Sequence, residues 1–393
     1  MKGQFRNYCI FYFFYYATLG VFSPYLNVYY ERLGFSGSQI GNINSLSLVF
    51  AMFTTPLWGI VSDKTKKHKL VLTVAVGMTA IVLFIWSLQR NYIPVLVTAI
   101  FLQICRCDIG SLADSMCIKF CNRYEEDFSV VRSLGSLGYV FGSFAVGYVA
   151  SYFGFSGPYV YIAMICSAIA VICIQKFTED ENDENETTQK LDLLHDGKEI
   201  IKNGNFIYAL LLMILISAVL DVINGYVGNH LVGTLKQSDS LIGISTLAMV
   251  APEFFIVMKA QKIFDKIGYR NLYLLGCGSQ VLRFLVYAFV PNVFAFLIVS
   301  LFHGLSIAAI CVGNVNFLYR AVDKKILATG MSIYNAGYII STALFNQLFG
   351  RLYEASGSGS MFFVAAILTT IGLLMVICSK RLNIMDRRVE ESI

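Results

Sequence analysis

Twelve apolar runs, each of about twenty residues or more, follow one another along this 393-residue chain with short polar breaks between them. They fall near 7–30, 38–62, 69–89, 92–121, 127–153 and 157–177, then near 205–231, 240–263, 270–291, 293–319, 326–352 and 359–379. A helix rises about 1.5 Å per residue, so about 20 apolar residues cross the hydrocarbon of a bilayer. No water is present there to satisfy backbone amides, so each run must be helical. Charged residues are 14% of the chain, against about 25% in a soluble domain, which excludes a water-soluble fold and a disordered chain. The expectation is an all-α membrane protein with twelve transmembrane helices. The first run is too long for a signal-peptide core and lacks a following small-residue cleavage site, so it reads as span one.

The placement of lysine and arginine orients the spans. On one side lie Lys2, Arg6, Lys64, Lys66, Lys67, Lys69, Lys119, Arg123, the four lysines at and in the central break, Lys259, Lys262, Lys266, Arg270, Arg320, Lys324, Lys325, Lys380, Arg381, Arg387 and Arg388. The other side holds only Arg32, Arg90, Lys236 and Arg351. This bias predicts a multi-pass protein of the cell membrane with both termini cytoplasmic. The net charge of +5 is thereby explained by membrane orientation, and no nucleic-acid partner is expected.

The break after span six begins Glu179-Asp180-Glu181-Asn182-Asp183-Glu184, too polar to enter lipid and too poor in apolar surface to fold alone. It divides the chain into a six-helix half at 1–178, an acidic cytoplasmic linker at 179–204 and a second six-helix half at 205–393. Asn185-Glu186-Thr187 matches a glycosylation sequon but falls on the inner side. The ten cysteines lie in or at the ends of apolar runs with no Cys-x-x-Cys spacing, which fits small buried hydrophobes rather than a disulfide or metal framework. No H-E-x-x-H, G-x-S-x-G or Walker A pattern occurs, so no catalytic residues, metal or cofactor are expected.

The halves echo each other. Gly59-Ile60-Val61-Ser62-Asp63-Lys64-Thr65-Lys66-Lys67-His68-Lys69 follows span two, and Asp265-Lys266-Ile267-Gly268-Tyr269-Arg270 follows span eight, with the two aspartates 202 residues apart. Duplicated halves are a common construction of secondary transporters. The loops resemble the G-x-x-x-D-[RK]-x-G-x-[RK]-[RK] signature of the major facilitator superfamily, with Lys66 at the loop-glycine position of the first copy and Gly268 kept in the second. The resemblance implies a major facilitator fold of two pseudo-symmetric halves. It also implies that Asp63 and Asp265 stabilise gates on the inner side.

Ionisable groups inside a span cost on the order of 3 kcal/mol or more, which makes them functional candidates. They are Arg106, Asp108, Asp114, Arg132, Asp221, Glu253, Arg283 and His303. Asp114 and Arg132 lie nine residues on either side of Arg123, hence at equal depth on neighbouring antiparallel helices, where they can pair. A carboxylate beside a guanidinium offers acceptors and a planar fork of donors to hydroxyl groups or to a competing carboxylate. Tyr139, nearly two turns beyond Arg132, can support the apolar side of a sugar, nucleobase or aryl ring. The same pair could instead be a structural lock between two helices.

The stretch from Asp114 through Arg132-Ser133-Leu134-Gly135-Ser136-Leu137-Gly138-Tyr139 resembles the lactose permease group of oligosaccharide–proton symporters and the related phenylpropionate permeases. In that group an acid also precedes an arginine by 18 positions. The resemblance extends to Asp221 in span seven, Glu253 in span eight, Arg283 in span nine and His303 in span ten. It implies solute binding by Asp114, Arg132, Tyr139 and Glu253, and proton coupling by Asp221, Glu253, Arg283 and His303. Departures are equally specific. Ser306 and Ser300 replace a glutamate and a lysine flanking the histidine, Asn224 replaces a second aspartate, and Tyr338, Ile339 and Ile340 occupy the region where span eleven of the group carries a lysine. Asp221 is therefore expected to lack its family partner, with Arg106 as a possible compensating cation.

The expected function is secondary active transport by alternating access: proton-coupled symport of a small polar solute such as a sugar or glycoside. The alternatives are a carrier of nucleosides or small aromatic acids, or a non-transporting sensor of the same fold. Expected partners are the solute, protons and membrane lipid, with the chain acting as a monomer.

Overall fold

The computed structural model describes residues 2–153, 158–177, 197, 200–322, 326–379, 381 and 382. Among the described residues, regular structure is helical throughout. Eight stretches are long and apolar enough to cross a bilayer: Gly3–Arg32, Gly37–Thr65, His68–Leu88, Tyr92–Tyr124, Phe128–Ala150, Gly204–Thr234, Arg270–Phe289 and Thr329–Cys378. Three shorter apolar helices, Tyr159–Gln175, Ser240–Ile256 and Val293–Ala308, stand at the places expected for spans six, eight and ten. The last long stretch breaks at Gly357 (φ 76, ψ 178), in backbone space essentially open only to glycine. It therefore contains spans eleven and twelve. Most of the expected linker, residues 178–196 with 198 and 199, lies outside the described residues, as does the sequon within it.

The surface is inverted relative to a soluble protein. Phe53, Phe141, Phe255 and Phe294 are each more than half exposed, whereas Arg283, Gln280, Ser143 and Thr369 are fully buried. Such a distribution is stable where the surroundings are hydrocarbon, and the chain is a multi-pass membrane protein. Cys105, Cys117, Cys121, Cys166, Cys173 and Cys277 are buried and unbridged, in keeping with their reading as small apolar residues.

Contacts divide the chain into two compact units: Met1–Glu186 with Val227–Leu247, and Thr187–Tyr226 with Ala248–Ile393. In the first unit, Tyr8, Phe11, Tyr12, Leu72, Ala113, Cys117, Val131, Ala170 and Phe177 form one buried cluster drawn from spans one, three, four, five and six. Span one lies directly against span five because both are bare at the crossing. A Cβ on Gly138 would stand 2.0 Å from the Phe13 carbonyl oxygen, and one on Gly142 2.2 Å from that of Ala17. From the other side, a Cβ on Gly20 would stand 1.9 Å from the Tyr139 carbonyl oxygen. Small residues at a crossing are the usual means by which lipid-embedded helices gain close van der Waals contact. In the second unit, Phe206, Leu212, Leu272, Cys277, Phe317, Tyr334 and Val376 form the corresponding cluster from spans seven, nine, ten, eleven and twelve.

The helix ends follow from local chemistry. Ser36 caps span two, accepting from the Gln39 backbone N–H while the Gln39 side chain accepts from the Ser36 N–H. That helix ends at Lys66, which takes a left-handed conformation (φ 53, ψ 20). The second copy of the loop turns at Gly268 (φ 77, ψ 171). Both copies therefore turn through positive φ at the signature glycine position, although the first has lost its glycine.

The duplicated loops also perform one task twice. The Lys69 ammonium donates to the carbonyls of Gln175 (2.7 Å) and Phe177 (3.0 Å) at the end of span six. Arg270 donates to the Ile377 carbonyl (2.9 Å) at the end of span twelve. A cation there satisfies terminal carbonyls and complements the negative end of the helix dipole.

Candidate functional site

In the first unit the site is built on span one. Tyr12 and Tyr16 are one turn apart, with near-parallel rings 6.0 Å between centroids. The Tyr12 hydroxyl donates to Asp114 Oδ1 at 2.6 Å, and the Arg132 guanidinium lies over the Tyr16 ring, 4.6 Å from its centroid. Asp114 and Arg132 are thus not joined in a direct ion pair, contrary to the pairing expected from their equal depth. Tyr12 takes the carboxylate, and Tyr16, one turn on, supports the guanidinium. The cradle depends on Gly135, one turn from Arg132, because a Cβ there would meet the Tyr16 ring at 2.8 Å. The arrangement leaves acceptor capacity on Asp114 and the planar donor fork of Arg132 for a solute.

Span four breaks between Arg106 and Ile109, with Asp108 at the start of the second piece. The break separates two charges that are only two residues apart. Arg106 lies over the Phe22 ring at 5.5 Å, with Tyr15, Tyr30 and Tyr139 in electrostatic reach. Asp108 bonds to the Ser111 side chain and lies in reach of Asp63. Asp63 is exposed at the end of span two. The side chain of Asp265 lies outside the described residues.

In the second unit, Arg283 is fully buried and organises three helices. Its guanidinium donates to His303 Nδ1 at 2.7 Å and to Asn224 Oδ1 at 3.5 Å. A guanidinium has only donors, so Nδ1 of His303 must be the bare nitrogen and Nε2 carries the proton. That Nε2 faces Glu253 Oε2 at 3.6 Å. The approach of span eight to span ten is permitted by Gly304, where a Cβ would stand 2.7 Å from the Glu253 Cα. Arg283, His303 and Glu253 therefore form one chain across spans nine, ten and eight.

Asp221 does have a partner. Its carboxylate is bonded by the Tyr338 hydroxyl, so a neutral donor occupies the place where the resemblance led to a missing lysine. Ser300 and Ser306 are likewise employed: Ser300 bonds the Tyr287 hydroxyl at 2.6 Å, and Ser306 lies 3.1 Å from Ser279. The replacements join spans nine and ten by hydroxyl bonds where the family pattern has charges.

Tyr12, Tyr16 and Tyr338 were not among the expected site residues. The i, i+4 spacing of Tyr12 and Tyr16 within Phe11-Tyr12-Phe13-Phe14-Tyr15-Tyr16 is the signal available for the first two, but in an aromatic run it does not say which face is turned inward.

A helical membrane protein with a repeated loop and ionisable groups on facing helices defines a transporter of the major facilitator class. The chain matches the MFS_1 like family over residues 5–365 and belongs to that family. It is similar to the uncharacterized transporter YwbF of Bacillus subtilis (25% identity; 83% of this chain and 80% of the relative). It is also similar to the maltose permease of Geobacillus stearothermophilus (23%; 94% and 92%) and the sucrose permease of Escherichia coli (22%; 87% and 85%). Among solved structures, the nucleoside transporter NupG superimposes with a TM-score of 0.80 at 18% identity (95% of this chain and 97% of that one). A bacterial homologue of the human lysosomal transporter Spinster gives 0.73 at 13% identity, covering 98% of each chain. These likenesses establish the major facilitator fold.

Proposed function

We propose that this protein is a secondary active transporter of the cell membrane, with both termini cytoplasmic, that carries a sugar or glycoside in symport with protons by alternating access. The observation that carries the reading is the Arg283–His303–Glu253 chain. It places a carboxylate next to an imidazole N–H whose tautomer is fixed by a fully buried guanidinium, which is a means of exchanging a proton at one defined atom. Tyr12, Asp114 and Arg132 supply the mixed donors and acceptors that sugar hydroxyls require. The similarity to maltose and sucrose permeases supports the same solute class. The likeness to a nucleoside transporter, with the aligned Tyr12 and Tyr16 rings, supports nucleosides as the second reading.

In proteoliposomes, an inward proton gradient should drive accumulation of a labelled disaccharide. Glu253→Gln should abolish accumulation while leaving exchange of labelled for unlabelled solute. Accumulation that persists after the gradient is collapsed overturns proton coupling. Specific binding without any flux would mark a sensor, and preference for nucleosides over every sugar would select the second reading.

A further inference from the structure

Among the described residues, two guanidinium groups in the first unit have no acceptor. Arg132 lies over Tyr16 and Arg106 over Phe22, and among the described residues neither donates a hydrogen bond nor pairs with a carboxylate. A ring face offsets part of a cation's desolvation, about 0.5–2 kcal/mol, but fills none of the five N–H donors of an arginine. The nearby carboxylates pair with neither arginine. Asp114 accepts from Tyr12, and Asp108 bonds to Ser111 in reach of Asp63. The cradle of span one therefore holds two cations and one anion, an imbalance that a neutral solute would leave uncompensated within the bilayer.

The geometry adds a length. Tyr16 and Phe22, the rings beneath the two cations, are six residues apart on one helix, about 9 Å along its axis. Tyr15, next to Tyr16, is in electrostatic reach of both Arg106 and Arg132. That interval is roughly the reach of two linked sugar rings. Hydroxyls of one ring can engage Asp114, Tyr12 and Arg132, while a carboxylate on the other is placed at Arg106.

We infer that the solute is an anionic glycoside, two linked sugar rings with a carboxylate on one, and that Arg106 is the residue that selects for the acid. This rests on the transporter reading above and specifies its solute. Arg106 belongs to no part of the acid–arginine pattern that carried the resemblance, and its acceptor-free position is visible only in the structure.

The test compares a neutral disaccharide with the same disaccharide oxidised at C6 to a uronate, using the full chain in proteoliposomes. Wild-type protein should bind the uronate about tenfold more tightly than the neutral sugar, as expected of a charge-assisted bidentate contact. The preference should shrink at high salt, and Arg106→Gln should bring it near parity. Arg106→Lys, which keeps the charge but loses the fork, should retain part of it. Equal or tighter binding of the neutral sugar by wild-type protein overturns the inference without any variant, and so does an Arg106→Gln protein that keeps the full preference. If the neutral sugar is carried without preference, only the acid assignment fails. If neither sugar binds nor exchanges, the glycoside reading fails with it.

Discussion

Tyr12 spends its only proton on Asp114, and Asp221 takes that of Tyr338, so each unit fixes one carboxylate with a phenol rather than a cation. A hydrogen bond to a charged group contributes about 1.5–3 kcal/mol, and deleting the donor leaves a carboxylate oxygen unfilled. Tyr12→Phe should therefore lower stability by about 2 kcal/mol in detergent, read from thermal unfolding, and weaken solute binding because Asp114 loses its orientation. Lys66 is the opposite case. An L-residue in left-handed conformation costs about 1–2 kcal/mol, and Lys66 is exposed at the helix end with φ 53. Lys66→Gly should raise stability by about 1 kcal/mol in the same measurement. The sequence marked position 66 as a lost glycine, but it could not say that the turn kept the conformation glycine serves. That was decided by span two, whose final turn must end there for Lys69 to reach span six.

At the scale of elements, the decisive contact is the crossing of spans one and five. Gly138 and Gly142 meet the backbone of the span that carries Tyr12 and Tyr16, and Gly135 meets the Tyr16 ring. A single methyl on Gly138 would lie 2.0 Å from the Phe13 carbonyl, which only separation of the helices can relieve. Gly138→Ala should cost about 1–3 kcal/mol of stability and move Tyr16 from beneath Arg132, so unfolding temperature and solute affinity should fall together. Gly77→Ala, on a helix face with nothing within 4 Å, is the matched control and should leave both nearly unchanged. Other element features were not legible. Residues Met213–Ala218 and Ala309–Asn314 are π-helical, stitched by bonds from Gln280 to the Ile216 carbonyl (3.0 Å) and from Asn314 to Ser217 (3.0 Å). An extra residue in a helical turn barely disturbs an apolar run, so hydropathy alone does not reveal it. The break in span four escaped the sequence for the same reason, although Arg106 and Asp108 stood out as charges within a span.

At the scale of the whole molecule, the repeat is more than a sequence echo. Lys69 and Arg270 close the ends of spans six and twelve in the same manner, so each half is terminated by its own signature loop. The contact units do not follow chain order: Val227–Leu247, the end of span seven and start of span eight, belongs with the first unit. There Asp239 receives both terminal nitrogens of Arg32 (2.6 and 3.0 Å), Asn229 donates to Glu31 (2.6 Å), and Ser143 donates to Thr246 (3.1 Å). The Arg32 side chain is 38% exposed, so this pair is screened by solvent. A double-mutant cycle of Arg32→Ala and Asp239→Ala should give a coupling of about 1 kcal/mol or less in thermal unfolding, falling with salt. A coupling several times larger would mean that the pair is shielded from water.

The amino-acid order by itself determined the number of apolar spans, their charge bias and the duplication of the halves. A bilayer imposes a one-dimensional rule, about 20 apolar residues per crossing with charges kept to the ends, and such a rule is written directly along the chain. Only the tertiary structure decided who meets whom: Asp114 with Tyr12 instead of Arg132, Asp221 with Tyr338, Arg106 over a phenylalanine. Those pairings depend on how far each helix is rotated about its own axis. Hydrocarbon does not fix that rotation; the glycine contacts and side-chain shapes between neighbouring helices do.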